Sequence, residues 1–106
     1  MKKYFKFDKR LGIDIPHLDK NWHQYAPHIQ EDIIMHWEQT KGKIPDRIKS
    51  LEVCIDEKQN QLSEEDDFMK SCLLNEEISE LASIINDLWI WYRTEGAVTN
   101  AKTKNT

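Results

Sequence analysis

The chain has 106 residues, a length typical of one domain, with 15 Lys and Arg against 19 Asp and Glu. A net charge of −4 disfavours a general nucleic-acid-binding protein, because such proteins usually carry excess positive charge. Hydrophobic residues make up 39% of the chain, which is too many for full disorder. With only three Gly and three Pro to interrupt helices, the composition favours an all-α fold.

Residues 1–24 are predicted to form an extended N-terminal arm. Polar and apolar residues alternate in Phe5-Lys6-Phe7 and again in Ile13-Asp14-Ile15, as they do in short strands. Gly12 and Pro16 interrupt this alternation. We expect the arm to lie on a helical body and to contain a short strand pair.

A first helix is predicted over residues 27–40. Pro27 suits the first helical turn, where its missing N–H removes no hydrogen bond. Ile29, Ile33 and Trp37 follow at intervals of four and form an apolar stripe. Gly42 is a natural helix stop.

A second helix is predicted over residues 44–62, again with a proline, Pro45, in its first turn. Its seam positions recur at alternating steps of four and three, the spacing of a coiled coil. Five of the six positions are apolar, and the long stem of Lys58 can stay buried while its ammonium reaches solvent. The positions are Ile44, Ile48, Leu51, Ile55, Lys58 and Leu62.

A third helix is predicted over residues 64–93, with Ser63 as its N-cap and acidic residues in its first turn. Residues 73–75 leave two alternatives, a continuous helix or a short helix before a break, and we favour the continuous one. After Gly96, residues 94–106 are polar enough to predict a disordered tail. The seam of the third helix is Leu74, Ile78, Leu81, Ile85, Leu88 and Tyr92.

The matching seams predict that the second and third helices form an antiparallel hairpin, crossed by the first helix. Three regions follow: an arm at 1–24, a three-helix domain at 25–93 and the tail at 94–106. Two long helices with heptad seams resemble half of a four-helix bundle, which a homodimer would complete.

Five consecutive apolar residues, 88–92, point in all directions around the third helix, because successive residues are about 100° apart. Trp89 and Trp91 differ by about 200°, so one flat neighbour cannot cover both. Either the arm and the first helix cover the second side, or another subunit does. In the latter case Trp89, Ile90, Trp91 and Trp37 are the predicted partner-binding residues.

The acidic part of the third helix contains Glu77 and Glu80 in an E-x-x-E pair, followed by Asp87. This pattern resembles the carboxylate motifs of all-α nucleotide pyrophosphohydrolases of the MazG type. The resemblance implies Mg²⁺ binding by Glu76, Glu77, Glu80 and Asp87, and hydrolysis of a nucleotide as an alternative function. The sequence departs from the family pattern at Ile84, where a glutamate is expected.

Other candidate sites are weaker. His28, Asp32 and His36 are spaced four apart on the first helix, but about 12 Å separates the two histidines along the axis. We therefore predict a solvated polar edge and no metal site. Cys54 and Cys72 lie nine residues on either side of Ser63. This spacing predicts two buried thiols, with a redox pair as the alternative.

Charge is unevenly distributed along the chain. Residues 1–10 contain five basic residues and one acidic residue, whereas residues 64–80 contain seven acidic residues and one basic residue. We expect these segments to meet, within one chain or across a dimer. The alternative is an accessory protein that binds nucleic acid through its basic arm.

These patterns together favour a non-enzymatic cytoplasmic protein that acts through protein–protein contact as a homodimer. The sequence has no Gly-rich loop and no common nucleophile or metal motif, so no cofactor is predicted. It also has neither a run of about 18 apolar residues nor a secretory signal, which is the basis for the predicted location.

Overall fold

The computed structural model describes residues 2–94 and 96–99. The fold is mainly helical, with a small strand hairpin at the N-terminus that the predicted strand pair anticipated. A single 3₁₀ turn at Trp22–Gln24 connects the strands to the helices. The remaining elements are β1 (Phe5–Asp8), β2 (Ile13–Pro16), α1 (Pro27–Lys41), α2 (Ile44–Ser63) and α3 (Phe68–Arg93).

Helices α1 and α2 follow each other as one 37-residue helical stretch, so the prediction that the first helix crosses the hairpin is wrong. Gly42 has φ −63° and ψ −18°, and Lys43 also stays in the right-handed helical region. Gly42 therefore does not reverse the chain as a left-handed C-cap does. Pro45 lacks an N–H, but its fixed φ is compatible with a helix, so the chain continues in the same direction.

Helices α2 and α3 form the predicted antiparallel hairpin, and α3 is continuous through residues 73–75. The predicted N-cap is wrong. Ser63 is the last residue of α2, and its hydroxyl donates to the carbonyl of Asn60. Asp67 caps α3 instead, because its carboxylate accepts from the N–H groups of Met69 (2.8 Å) and Lys70 (3.2 Å).

The N-terminal strands pair antiparallel, with Phe7 opposite Asp14. Gly12 closes the turn between them at φ +78°, a backbone region that favours glycine. A Cβ at this position would also lie 2.8 Å from Nε of Arg47. Arg47 donates from Nε to the carbonyl of Leu11 at 3.0 Å, which fastens the tip of the strand hairpin to α2.

The strand hairpin takes part in both hydrophobic clusters found among the described residues. The first cluster joins Phe5 to α1 and to residues 97–98, and the second joins Leu11 and Ile13 to α2 and α3. Trp91 packs against both clusters and connects them. The second cluster consists of Leu11, Ile13, Ile44, Ile48, Leu51, Ile84 and Leu88.

Residues 96–99 belong to the segment predicted as a disordered tail, but they form a turn in which Ala97 and Val98 are buried. These two apolar side chains pack against the first cluster, a contact that the polar composition of the segment did not indicate. The remainder of that prediction, at residues 95 and 100–106, lies outside the described residues.

The buried residue Tyr25 organises the loop before α1. Its hydroxyl donates to the carboxylate of Asp19 at 2.7 Å and accepts from the backbone N–H groups of Asp19 and Lys20. Burial and the Asp19 hydrogen bond raise the pKa of Tyr25, and the same hydrogen bond lowers the pKa of Asp19. The folded state therefore holds the Asp19 proton less tightly than the unfolded chain does.

Replacing Tyr25 by phenylalanine is expected to lower the free energy of unfolding at pH 7 by about 1–3 kcal/mol, because two backbone N–H groups lose their acceptor.

Asp19→Asn should also destabilise the protein at pH 7. Its difference from wild type should shrink as the pH falls below 3.8, the ordinary pKa of the carboxyl, because protonation removes the same charge. Urea unfolding between pH 2 and pH 7 measures both effects.

The matched control for this experiment is Asp32→Asn, which removes one carboxylate from an exposed position on α1. Its effect on unfolding should be small at every pH. A constant difference between wild type and Asp19→Asn over the whole range would contradict the assigned hydrogen bond.

Candidate protein-binding surface

The four residues predicted to bind a partner differ widely in exposure. Trp37 is 4% exposed and lies in the first cluster, where its ring meets Trp91 edge-on at a centroid distance of 5.5 Å. Trp89 is partly buried and packs edge-on against Tyr92 at the same distance. Ile90 is 47% exposed. The first helix thus covers Trp91, and Ile90 is the most exposed of the four.

The tip of the strand hairpin binds α3 through one arginine. Arg10 donates to Asp87 at 2.7 Å, to Glu80 at 3.0 Å and to the hydroxyl of Ser83 at 2.8 Å. The hydrogen bonds to Asp87 and then Glu80 raise the pKa of the guanidinium. The predicted contact between the basic start and the acidic segment is thus present within the chain, through Glu80.

Three of the four carboxylates in the pyrophosphohydrolase-like pattern contact cations of the chain itself. Glu80 and Asp87 bind Arg10, and Glu77 accepts from Lys58 at 3.0 Å. The last contact also confirms that Lys58 reaches out of the α2 seam. Within residues 2–94 and 96–99, no three His, Cys, Asp or Glu side chains are arranged to hold a metal ion.

The polar edge predicted on α1 is present in part. His28 and Asp32 are exposed, as expected. His36 is half-buried instead, because its ring packs on Phe5 at 4.4 Å between centroids and its Nε2 lies 3.1 Å from Asp14. This histidine connects α1 to the strand hairpin.

Both cysteines are exposed and free, so the prediction of buried thiols is wrong. They lie beside the seams of α2 and α3. In this region of the described structure, each of these two helices packs only against the other. Nothing in the described structure covers Cys54 and Cys72, because the strand hairpin and residues 96–99 pack at the opposite end of the helices.

The helical hairpin has two unequal halves. Residues 52–73, which we call the distal half, are all described and include no buried residue. Even the seam residues Ile55 and Leu62 are only half-buried there. Four large apolar side chains of this half are exposed to solvent: Val53, Phe68, Met69 and Leu73.

A shallow, open groove of about 390 Å³ lies on the helical hairpin beside the end of the distal half. Leu73 and Leu81 supply its apolar surface, and three glutamates make its rim acidic. Glu80 belongs both to this rim and to the ion pair with Arg10, so the groove begins where the strand hairpin ends. The acid-rimmed groove is lined by Lys58, Leu73, Glu76, Glu77, Glu80 and Leu81.

The basic start presents a second exposed surface. Lys2, Lys6 and Phe7 line a depression of about 390 Å³ together with Phe5, Asp14 and His36. Phe7 is 57% exposed, although Phe5, two residues earlier on the same face of β1, is buried. We call Lys2, Lys6 and Phe7 the basic strand edge.

Sequence reasoning singled out the aromatic end of α3 but missed the distal half and the acid-rimmed groove. The available signal was that Phe68 and Cys72 do not fit the α3 seam, which places them away from α2.

In the described ranges, no helix combines the length and the apolar character needed to cross a membrane. Comparisons with protein-family models, curated proteins and solved structures found no match for this chain.

Proposed function

We propose that this chain is a non-enzymatic protein that acts through protein–protein contact and binds a second copy of itself through the distal half of the helical hairpin. One observation carries the proposal: residues 52–73, which include the last turns of α2 and the first turns of α3, contain no fully buried residue. Helices in proteins gain most of their stability from packing an apolar face against a neighbour. A pair of helices covers only one stripe of each, and a second pair would cover more.

The exposed side chains support the same surface. Phe68, Met69 and Leu73 are all more than half exposed on the first turns of α3. Aromatic residues and methionine are enriched in protein interfaces relative to the rest of the surface. Several of them close together are more informative than one exposed residue.

The predicted aromatic surface is narrower in this proposal. Trp37 is left out because it is buried, and Trp91 is left out because its ring packs against Trp37. Trp89 and Ile90 remain a second candidate contact at the other end of α3. The catalytic alternative gains no supporting contact, because Glu77 is bound to Lys58 and Glu80 and Asp87 are bound to Arg10. The nucleic-acid alternative loses Arg10 to those two carboxylates.

The test is the dimer dissociation constant of Met69→Glu, measured by sedimentation velocity over a range of protein concentrations. We expect wild type to dimerise and Met69→Glu to weaken the dimer by about tenfold or more, since a charge enters an apolar contact. The control is Met35→Glu, because Met35 is 61% exposed on α1 and Met69 is 74% exposed. This control should dimerise like wild type.

Two results would overturn the proposal. A wild-type protein that stays monomeric at every concentration up to about 100 μM would remove the homodimer, since that limit corresponds to binding weaker than about −5 kcal/mol. A dimer weakened by Ile90→Glu but not by Met69→Glu would move the interface from the distal half to the aromatic end of α3.

A further inference from the structure

The acid-rimmed groove lies next to a contact that shows what chemistry this part of the helical hairpin binds. At the tip of the strand hairpin, Arg10 pairs with Glu80 while the adjacent Leu11 is buried in the second cluster. At this contact, a cation thus binds acidic positions of α3, and the apolar side chain beside it packs into the apolar surface between the helices. The groove repeats this combination, with Leu73 and Leu81 beside Glu76.

The basic strand edge offers the same chemistry on the outside of the molecule. Phe7 is mostly exposed, and Lys2 and Lys6 lie around it. Phe7 cannot reach the groove of its own chain, because the neighbouring Phe5 is packed on His36 of α1. The helical stretch from His36 to Lys58, which lines the groove, is on the order of 30 Å long at 1.5 Å per residue.

We infer that the acid-rimmed groove of one copy receives the basic strand edge of a second copy, with Phe7 against Leu73 and Leu81 and the lysines beside Glu76. This inference rests on the proposed function, because it specifies how the second copy binds. Each copy carries both the groove and the basic strand edge, so a two-fold symmetric pair whose helical hairpins run antiparallel would form both contacts and close. Among the rim glutamates of the described structure, Glu77 is paired with Lys58 and Glu80 with Arg10, which leaves Glu76 to meet an incoming cation. The charge of Glu76 is complementary to Lys2 and Lys6, which favours this register over edge-to-edge or groove-to-groove contact.

The reciprocal arrangement is tested by reversing charge on each surface in full-length protein. The edge variant is Lys2→Glu with Lys6→Glu, and the groove variant is Glu76→Lys. Each variant alone should raise the dimer dissociation constant about tenfold or more, because like charges then face each other. An equimolar mixture should recover wild-type affinity as a heterodimer, since the reversed edge meets the reversed groove and the two unchanged surfaces meet each other.

Sedimentation velocity gives the dissociation constants, and native mass spectrometry distinguishes the heterodimer by mass. The matched control is Lys43→Glu with Lys49→Glu, which makes the same charge change at exposed positions outside the basic strand edge. Circular dichroism checks that each variant is folded. Phe7→Ala should also weaken the dimer, and rising salt should weaken the wild-type dimer.

Edge and groove variants that dimerise like the control would overturn the inference, as would weakened variants whose mixture gives no heterodimer. If wild type dimerises and only Met69→Glu weakens the dimer, the inference fails and the proposed function stands. If wild type is monomeric, both fail.

Discussion

Trp37→Ala is expected to lower the free energy of unfolding by about 3–5 kcal/mol, the largest effect among the substitutions considered. Trp37, a residue of α1, is almost fully buried in the first cluster with Phe5 of the strand hairpin and with residues 97–98. Removing its ring leaves a large cavity and exposes one side of Trp91. Urea unfolding followed by circular dichroism measures the change at one fixed protein concentration, because the proposed dimer would make the stability depend on concentration.

The contact between the two rings can be isolated with a double-mutant cycle. Trp37→Ala, Trp91→Ala and the double variant should give a coupling energy of about 0.5–1.5 kcal/mol, as expected for an edge-on aromatic pair. Ile34→Ala is the control, because Ile34 is exposed on the same helix. Additive effects of the two Trp substitutions would contradict direct contact between the rings.

Leu88→Ala is expected to lower the free energy of unfolding by about 2–5 kcal/mol. The side chain of Leu88 is fully buried at 0% exposure, in the second cluster where α2, α3 and the tip of the strand hairpin meet. The loss combines the transfer of the removed methyl groups from water with the cavity that they leave. The same urea experiment measures it.

Ile90→Ala is the matched control for Leu88→Ala. Ile90 lies two residues away on α3, and its substitution removes a similar apolar volume from a surface position. Its effect should stay below about 1 kcal/mol. Equal effects at positions 88 and 90 would mean that the second cluster is packed differently from the arrangement described above.

The local elements were predictable because local sequence determines them. The seam spacing and the prolines predicted helices at 27–40 and 44–62, close to the observed α1 and α2. Alternation in Phe5-Lys6-Phe7 and Ile13-Asp14-Ile15 predicted the strand pair. The start of α3 was placed four residues too early, because several acidic residues in a row can act as N-cap and only Asp67 is positioned to do so.

The path of the chain between elements was not predictable in the same way. Glycine is found both where helices stop and where they continue. Only the observed right-handed conformation of Gly42 shows that the helical stretch continues here. This one junction determines where α1 lies. It therefore also determines that Trp37 covers Trp91 and that the distal half of the helical hairpin has no third layer.

The candidate surface depended on the same junction. The sequence indicated that the third helix exposes apolar residues, and the uneven charge indicated that the basic start meets acidic residues. Which apolar residues stay exposed depends on where the strand hairpin and α1 pack, and both pack at one end of the helical hairpin. The exposed apolar residues of α3 thus include Phe68, Met69 and Leu73, whereas the predicted Trp91 is partly buried.

The sequence alone determined the helices, the seams and the strand pair of this protein, because these follow from periodicity and from residues within a few positions of each other. Only the tertiary structure decided which half of the helical hairpin is covered, which acids Arg10 binds and which apolar side chains remain exposed. Those outcomes depend on contacts between residues far apart in the chain, such as Arg10 and Asp87, which are separated by 77 positions. No local pattern encodes such a distance, because it is set by how the elements pack.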